Sequence, residues 1–193
     1  MAKQLNAEQK TVSQIFTDPK AKFLIPDYQR PYSWENEQCE TLWADICAFA
    51  FPFDHAFNPN GDQYFLGTIL TFPNSSYESE VIDGHQRLVT FLLMLRAFYQ
   101  AFESIECKNK ENILTSIGQC IWDTDVFRNI DKTSVKLNSE VASDEDIAEF
   151  KKILETGEAT KKIRATMQKI IATSKKQLPP SKRTDPKIFP TCR

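Results

Sequence analysis

Histidine is scarce in this chain, with only His55 and His85 in 193 residues, and several familiar signatures are missing altogether. There is no Walker phosphate loop, GxGxxG turn, GxSxG elbow or HExxH helix, which excludes the commonest nucleotide-binding, hydrolase and metalloprotease designs. The five cysteines, Cys39, Cys47, Cys107, Cys120 and Cys192, are odd in number and never spaced as CxxC, so neither a disulfide framework nor a zinc knuckle is expected. They read as reduced thiols. No apolar run reaches the roughly 18 residues of a membrane span, and the opening MAKQLNAEQK lacks an apolar signal region. A soluble cytoplasmic protein with no membrane partner is the expectation.

What the chain does hold is apolar material, 41% of its residues with 11% aromatic, enough to close one core without staples. The net charge of -2 hides an asymmetry. Lys and Arg stand against Asp and Glu at 7 to 12 in residues 1–100, 5 to 11 in residues 101–150 and 12 to 3 in residues 151–193. Such a basic end suits contact with nucleic acid, and it equally suits a solvated helix face with a free tail.

Along the chain, Asn6 with Gln9 resembles a helix start ahead of the stripe Val12, Ile15 and Phe16. KFLI (22–25) reads as a short strand cut off by Pro26, and PDYQRPYSW (26–34) as an irregular loop whose Ser33 would cap the next helix. In that helix Cys39, Leu42, Trp43, Ile46, Cys47 and Ala50 share one face, and it should stop near Pro52. YFLGTILTF (64–72) and EVID (80–83) predict two strands of an antiparallel hairpin with a longer loop. From Arg87 onward, Leu88, Phe91, Leu92, Leu95, Phe98, Tyr99 and Phe102 predict a helix at the centre of the core. A further stripe runs through Ile113, Leu114, Ile117, Cys120 and Ile121, and SVKLN (134–138) suits a short strand. Ser143 with Asp146 looks like a capping box for a helix that Gly157 would end. Residues 160–174 suit one more, basic helix, and 177–193, with four prolines, a mobile tail. The class is α+β, with few strands and many helices.

The chemistry gathers at VIDGHQR (81–87), where a strand feeds a helix. Such a corner presents unpaired N–H groups and the positive end of the helix dipole, so anions bind there. Gly84 would let a phosphate approach the backbone, and Arg87 would fork onto its oxygens. Asp83 could hold a divalent ion or orient a water, and His85 or Gln86 could position that water or read a base. The plainer reading makes Asp83 a helix cap, His85 a surface residue and Arg87 the partner of a carboxylate. A second polar cluster, Tyr28, Gln29 and Arg30, also follows a strand. If the two strand ends are neighbours, Arg30 and Arg87 face one cleft and an anion relieves their repulsion; otherwise Arg30 pairs with Asp83. Trp34 and Trp43 are expected in the core, and Tyr28 is the candidate to stack on a base.

Taken together, IPDYQRPYSW (25–34), QYFLGTIL (63–70) and VIDGHQRLVTFLLML (81–95) resemble the N-terminal domain of GmrSD-type restriction proteins. The resemblance covers residues 10–104, extends through 136–157 and fades past Gly157. It implies a fold similar to ParB and sulfiredoxin, a small mixed sheet with several helices followed by a helical extension. Residues 1–104 would then form the nucleotide- or DNA-phosphate-binding domain, 105–176 the extension and 177–193 a basic tail.

In this family the corresponding DGQQR motif is associated with nucleoside triphosphate hydrolysis or sensing, coupled to cutting foreign or modified DNA. Asp83, Gly84, Gln86 and Arg87 match that motif, and Tyr28, Gln29 and Arg30 match the other segment. His85 departs from the usual first glutamine, and its charge varies near neutral pH. The resemblance implies Asp83, Gln86 and Arg87 as catalytic residues and Mg²⁺ at Asp83. Tyr28, Gln29, Arg30, Gly84, His85 and Arg87 would bind nucleotide or phosphate. With no histidine after His85, an HNH-type nuclease is expected in a partner domain or subunit and not in this chain. The proline-rich ending is expected of a shortened chain, a naturally split subunit or a degenerate gene. The alternatives are a DNA-gripping module without turnover, aided by the basic segment 151–193, and a structural remnant whose corner is only a capped helix.

Overall fold

In a computed structural model the chain is described over residues 7–18, 21–52, 63–76, 78–104, 106, 109–141 and 144–158. The fold is α+β, with five helices, a four-stranded mixed sheet and a two-stranded sheet among the described residues. The helices are α1 (Val12–Phe16), α2 (Asn36–Ala50), α3 (His85–Glu103), α4 (Lys110–Ile121) and α5 (Asp144–Thr156). The strands are β1 (Phe23–Ile25), β2 (Leu70–Pro73), β3 (Ser79–Asp83), β4 (Trp122–Thr124), β5 (Ile130–Val135) and β6 (Leu137–Ser139). The larger sheet runs β2-β3-β1-β6. β1 pairs in parallel with both β3 and β6, while β2 and β3 form the expected antiparallel hairpin. Its loop is folded by Asn74, whose Oδ1 accepts the N–H groups of Ser76 and Glu78 at 2.9 Å each.

α3 is the central pillar because its apolar residues run nearly all round it: Leu88 and Leu92 are fully enclosed, and Phe91, Tyr99 and Phe102 are buried. Against it lie the core residues of α2 (Cys39, Trp43, Cys47) and of β1 and β3 (Phe23, Ile25, Val81). The end of α5 is held by a buried arginine. Arg96 Nε donates to Leu154 O at 2.9 Å, and its guanidinium lies over the rings of Tyr99 and Trp122, each 5.6 Å away. Gly157 closes α5 as its position predicts, with φ +78° and its N–H on Ile153 O at 2.8 Å.

Four expectations shift. Helix α1 is capped by Thr11 and Gln14, whose side chains and backbone N–H groups bond reciprocally at 2.8 and 3.1 Å; Asn6 lies outside the described residues. Ser33 does not cap α2. Its N–H is claimed by Gln86, and Glu35 takes the cap with its own N–H on Gln38 Oε1. The strand expected over 64–72 is ordered as β only from Leu70, because Gly67 sits at φ +104° and Thr68 O is given to Arg87 instead of a ladder. SVKLN holds two strands in different sheets, divided at Lys136. That lysine is buried, its ammonium donating to the carbonyls of Phe16 and Asp18, and burial holds its pKa below the usual lysine range. Ser143, the expected basic helix and the expected tail lie outside the described residues.

A Cβ on Gly157 would lie 2.6 Å from Arg96 Nη2, in a left-handed conformation already costly for other residues. Gly157→Ala should therefore lower the unfolding free energy by about 1–3 kcal/mol in urea titration. An unchanged midpoint would show that Arg96 does not fix the end of α5.

Candidate functional site

Because β1 and β3 are parallel, their C-terminal ends emerge side by side, and the polar segments that follow them meet. Between them lies an open cavity of about 340 Å³ lined by Gln29, Arg30, Trp34, Asp83, Gly84, His85, Gln86 and Arg87. Arg30 and Arg87 thus share one cleft. Among the described residues neither has a carboxylate within ion-pair distance, and Asp83 likewise forms no ion pair. Asp83 is not the helix cap either. That position belongs to Gly84, at φ +90°, and no side chain caps the start of α3.

Gly84 is required here by its conformation and by its neighbour. A Cβ would meet Thr68 O at 2.9 Å, so the residue makes room for the segment before β2. Gly67 does the same for Arg87: a Cβ there would lie 2.6 Å from the guanidinium carbon. With Nη1 donating to Thr68 O at 2.9 Å, Arg87 is seated by the YFLG segment in the first turn of α3. The glycine that looked like part of a strand is the floor under an arginine.

Gln86 is buried, and its carboxamide is held on both its oxygen and its nitrogen. Oε1 accepts from Ser33 N at 2.8 Å and Trp34 N at 3.2 Å, while Nε2 donates to Pro31 O at 2.9 Å and lies 2.8 Å from His85 Nε2. One amide thereby clasps the loop 31–34 to α3. Gln29 secures the same loop from its other end, donating from Nε2 to Ile82 O at 2.8 Å. His85 is buried, not a surface residue, and its Nε2 also stands 3.1 Å from Arg30 O. That nitrogen can accept from the amide or donate to the carbonyl, and the tautomer decides which. Burial holds the His85 pKa below the ordinary histidine value, outweighing the Arg30 carbonyl that favours the charged ring.

Two aromatic roles differ from expectation. Tyr28 is 62% exposed and is not among the residues lining the cavity. Trp34, expected in the core, packs against it from one side and lines the cavity with the other. Nothing in its spacing reveals this, since the loop that carries it has no periodicity. Tyr32 is only half-buried, with its hydroxyl 3.0 Å from Thr90 Oγ1, which in turn donates to Gln86 O at 2.8 Å. Among the described residues Asp83 is the only carboxylate lining the cavity, and no cluster of three metal-binding side chains occurs.

Compared with known families, residues 12–189 match the model of the GmrSD restriction endonuclease N-terminal domain. The chain belongs to this family. The match runs well past Gly157, where the motif resemblance fades, so the family's domain includes the helical part. No curated protein matches the chain. Membership makes this GmrSD N-terminal domain a component of a restriction, phage-defence system. No helix among its described residues is long and apolar enough to cross a membrane.

Replacing Gln86 by leucine strands Pro31 O, Ser33 N and Trp34 N, so Gln86→Leu should destabilise the domain by at least about 2 kcal/mol and speed amide exchange at Ser33 and Trp34. Unaltered exchange there would refute the clasp. For His85 the depressed folded-state pKa means that, below about pH 6.5, the unfolded chain takes up the proton more readily. Stability present above that pH should be lost as the pH falls through it. His85→Gln should flatten the pH dependence of Tm in this window, and parallel profiles for the two proteins would contradict the assignment.

Proposed function

We propose that the cavity binds a nucleoside triphosphate and that its hydrolysis or release regulates cleavage of foreign or modified DNA by a partner nuclease domain. The observation that supports this reading is the meeting of Arg30 and Arg87 in one cleft at the N-terminus of α3, neither of them ion-paired among the described residues and with Asp83 as the one described carboxylate lining the cleft. Two guanidinium groups and a helix dipole favour a polyanion there, and forked N–H donors suit phosphate oxygens. A volume of about 340 Å³ falls in the range of small-ligand sites.

Roles follow from what each group has left to offer. Arg87, seated on Gly67, and the more exposed Arg30 would balance phosphate charge, including charge that develops during transfer. The half-buried face of Trp34 offers a stacking surface for the base. Mg²⁺ fits the donor set: one carboxylate, Asp83, supplemented by phosphate oxygens and water, is how this ion is commonly held. Bound there, the ion would neutralise phosphate charge, and Asp83 would hold it or orient a water. Gln86 would serve by keeping the loop 31–34 in place, since three of its carboxamide's hydrogen bonds go to that loop's backbone and its amide nitrogen lies against His85. The family's name, a restriction endonuclease of which this is the N-terminal domain, supports the link to DNA and to a nuclease elsewhere.

Thermal-shift titration with ATP, GTP, CTP and UTP plus Mg²⁺, followed by phosphate-release assays, tests the reading. A nucleotide at 100 times its Kd should add about 2.7 kcal/mol of stability. Arg30→Ala, which removes an exposed side chain, and Gly67→Ala, which unseats Arg87, should each abolish the shift. If no nucleotide raises Tm, the proposal fails.

A further inference from the structure

The turn joining β4 to β5 displays the opposite of what a surface turn ordinarily shows. Turns favour glycine, asparagine and other small polar residues. Here Val126 is 91% and Phe127 82% exposed, the barest of the large apolar side chains among the described residues. The turn is firmly built. Asp125 Oδ1 accepts the N–H groups of Phe127 and Asn129 at 2.8 Å each, Oδ2 accepts from Asn129 Nδ2 at 2.7 Å, and the backbone closes with Arg128 N donating to Asp125 O at 3.0 Å. Arg128 is held at φ +65°, a left-handed conformation that costs any residue with a side chain and that glycine would take freely. Strain of this kind, kept beside two bare apolar side chains, marks a tip whose work lies outside the chain.

Charge decides what the tip meets. The carboxylates of the hairpin are engaged within the fold: Asp125 in the turn, Asp123 with Lys22 at 3.2 Å and Ser134 Oγ at 2.6 Å, and Asp131 with Thr133 N and Oγ1 at 3.0 and 2.7 Å. Arg128, exposed beside Phe127, forms no ion pair among the described residues. At the base of the hairpin Trp122 pairs with Val135, and Arg96, whose guanidinium lies over the Trp122 ring, adjoins Gly157 at the end of α5. The chain therefore leaves the described fold beside the hairpin, and residues 151–193 carry 12 Lys and Arg against 3 Asp and Glu. We infer that Val126 and Phe127 form a wedge that enters DNA between two base pairs, with Arg128 on a flanking phosphate and the basic C-terminal sequence adding charge attraction. A two-stranded ribbon fits a DNA groove, and apolar side chains so presented unstack a base step and kink the duplex. A protein pocket for the same two side chains would not call on that basic sequence. The inference rests on the DNA target of the restriction family and not on the cavity.

The full chain is titrated, at about 50 and about 200 mM salt, into a duplex of about 30 base pairs carrying aminopurine, a base analogue that brightens when unstacked, and into the same duplex with hydroxymethylated cytosines. At least one duplex should bind and brighten. Phe127→Ser should remove the brightening and weaken binding about tenfold, and Val126→Ser should weaken it about threefold, both with Tm unchanged because the two side chains are bare. Arg128→Gly relieves the left-handed residue and so should not lower Tm, yet it should reduce the slope of log Kd against log salt by about one. No binding to either duplex, binding without brightening, or an unaltered salt slope in Arg128→Gly would each overturn the inference. Brightening and affinity that survive Phe127→Ser would overturn it too, and would give the tip to a protein partner. None of the three substitutions touches the cavity, so the nucleotide-induced rise in Tm tests that reading separately.

Discussion

A single carboxamide joins the two halves of the site. Three hydrogen bonds tie the Gln86 carboxamide to the backbone of the loop 31–34, and its amide nitrogen also lies against His85 Nε2. In a buried setting such bonds are strong and their loss is costly, so the loop cannot drift while the amide stays. The consequence reaches the cavity directly, because Arg30 precedes that loop and Trp34 ends it. A side chain that contributes no chemistry of its own thus sets the separation between the groups that can.

The glycines work from below as Gln86 works from the side. Both Gly67 and Gly84 adopt positive φ, and each gives up its side-chain volume to a specific neighbour: the Arg87 guanidinium in one case, Thr68 O in the other. The segment 67–69 is therefore squeezed between α3 and its own strand, which ends β2 early and spends Thr68 O on Arg87. Ladder bonds are exchanged for the fixed placement of one cation. That exchange makes physical sense when the cation has work outside the protein, since a guanidinium needed only for stability would more economically be given a carboxylate.

Much of the framework was legible because it rests on periodicity. The faces of α2, α3 and α4 and the β2–β3 hairpin follow from spacing alone, and Gly157 ends α5 as its residue type requires. The meeting of Arg30 and Arg87 was legible only conditionally, since parallel pairing of β1 with β3 is set by contacts across more than 50 residues. What stayed hidden lies in side-chain-to-backbone bonds. A loop-clasping Gln86 reads in sequence like any polar residue near a helix start, and nothing local tells that Ser33 N is already claimed. Lys136 was hidden for the opposite reason. A lysine between two short strands reads as solvated, yet the chain crosses from one sheet to the other there, and its ammonium finds the carbonyls at the end of α1.

The sheet that creates the cavity is buried most deeply along its middle. Parallel strands β3, β1 and β6 place their C-terminal ends together, and β1 between its two neighbours is buried at Phe23, Leu24 and Ile25 alike, on both faces of the sheet. Fully parallel sheets are usually covered on both sides, because continuous apolar strands cannot face water. β2 relieves that demand at the edge by running antiparallel, and exposure grows toward it, from buried Leu24 on β1 to Ile82 on β3 and Phe72 on β2.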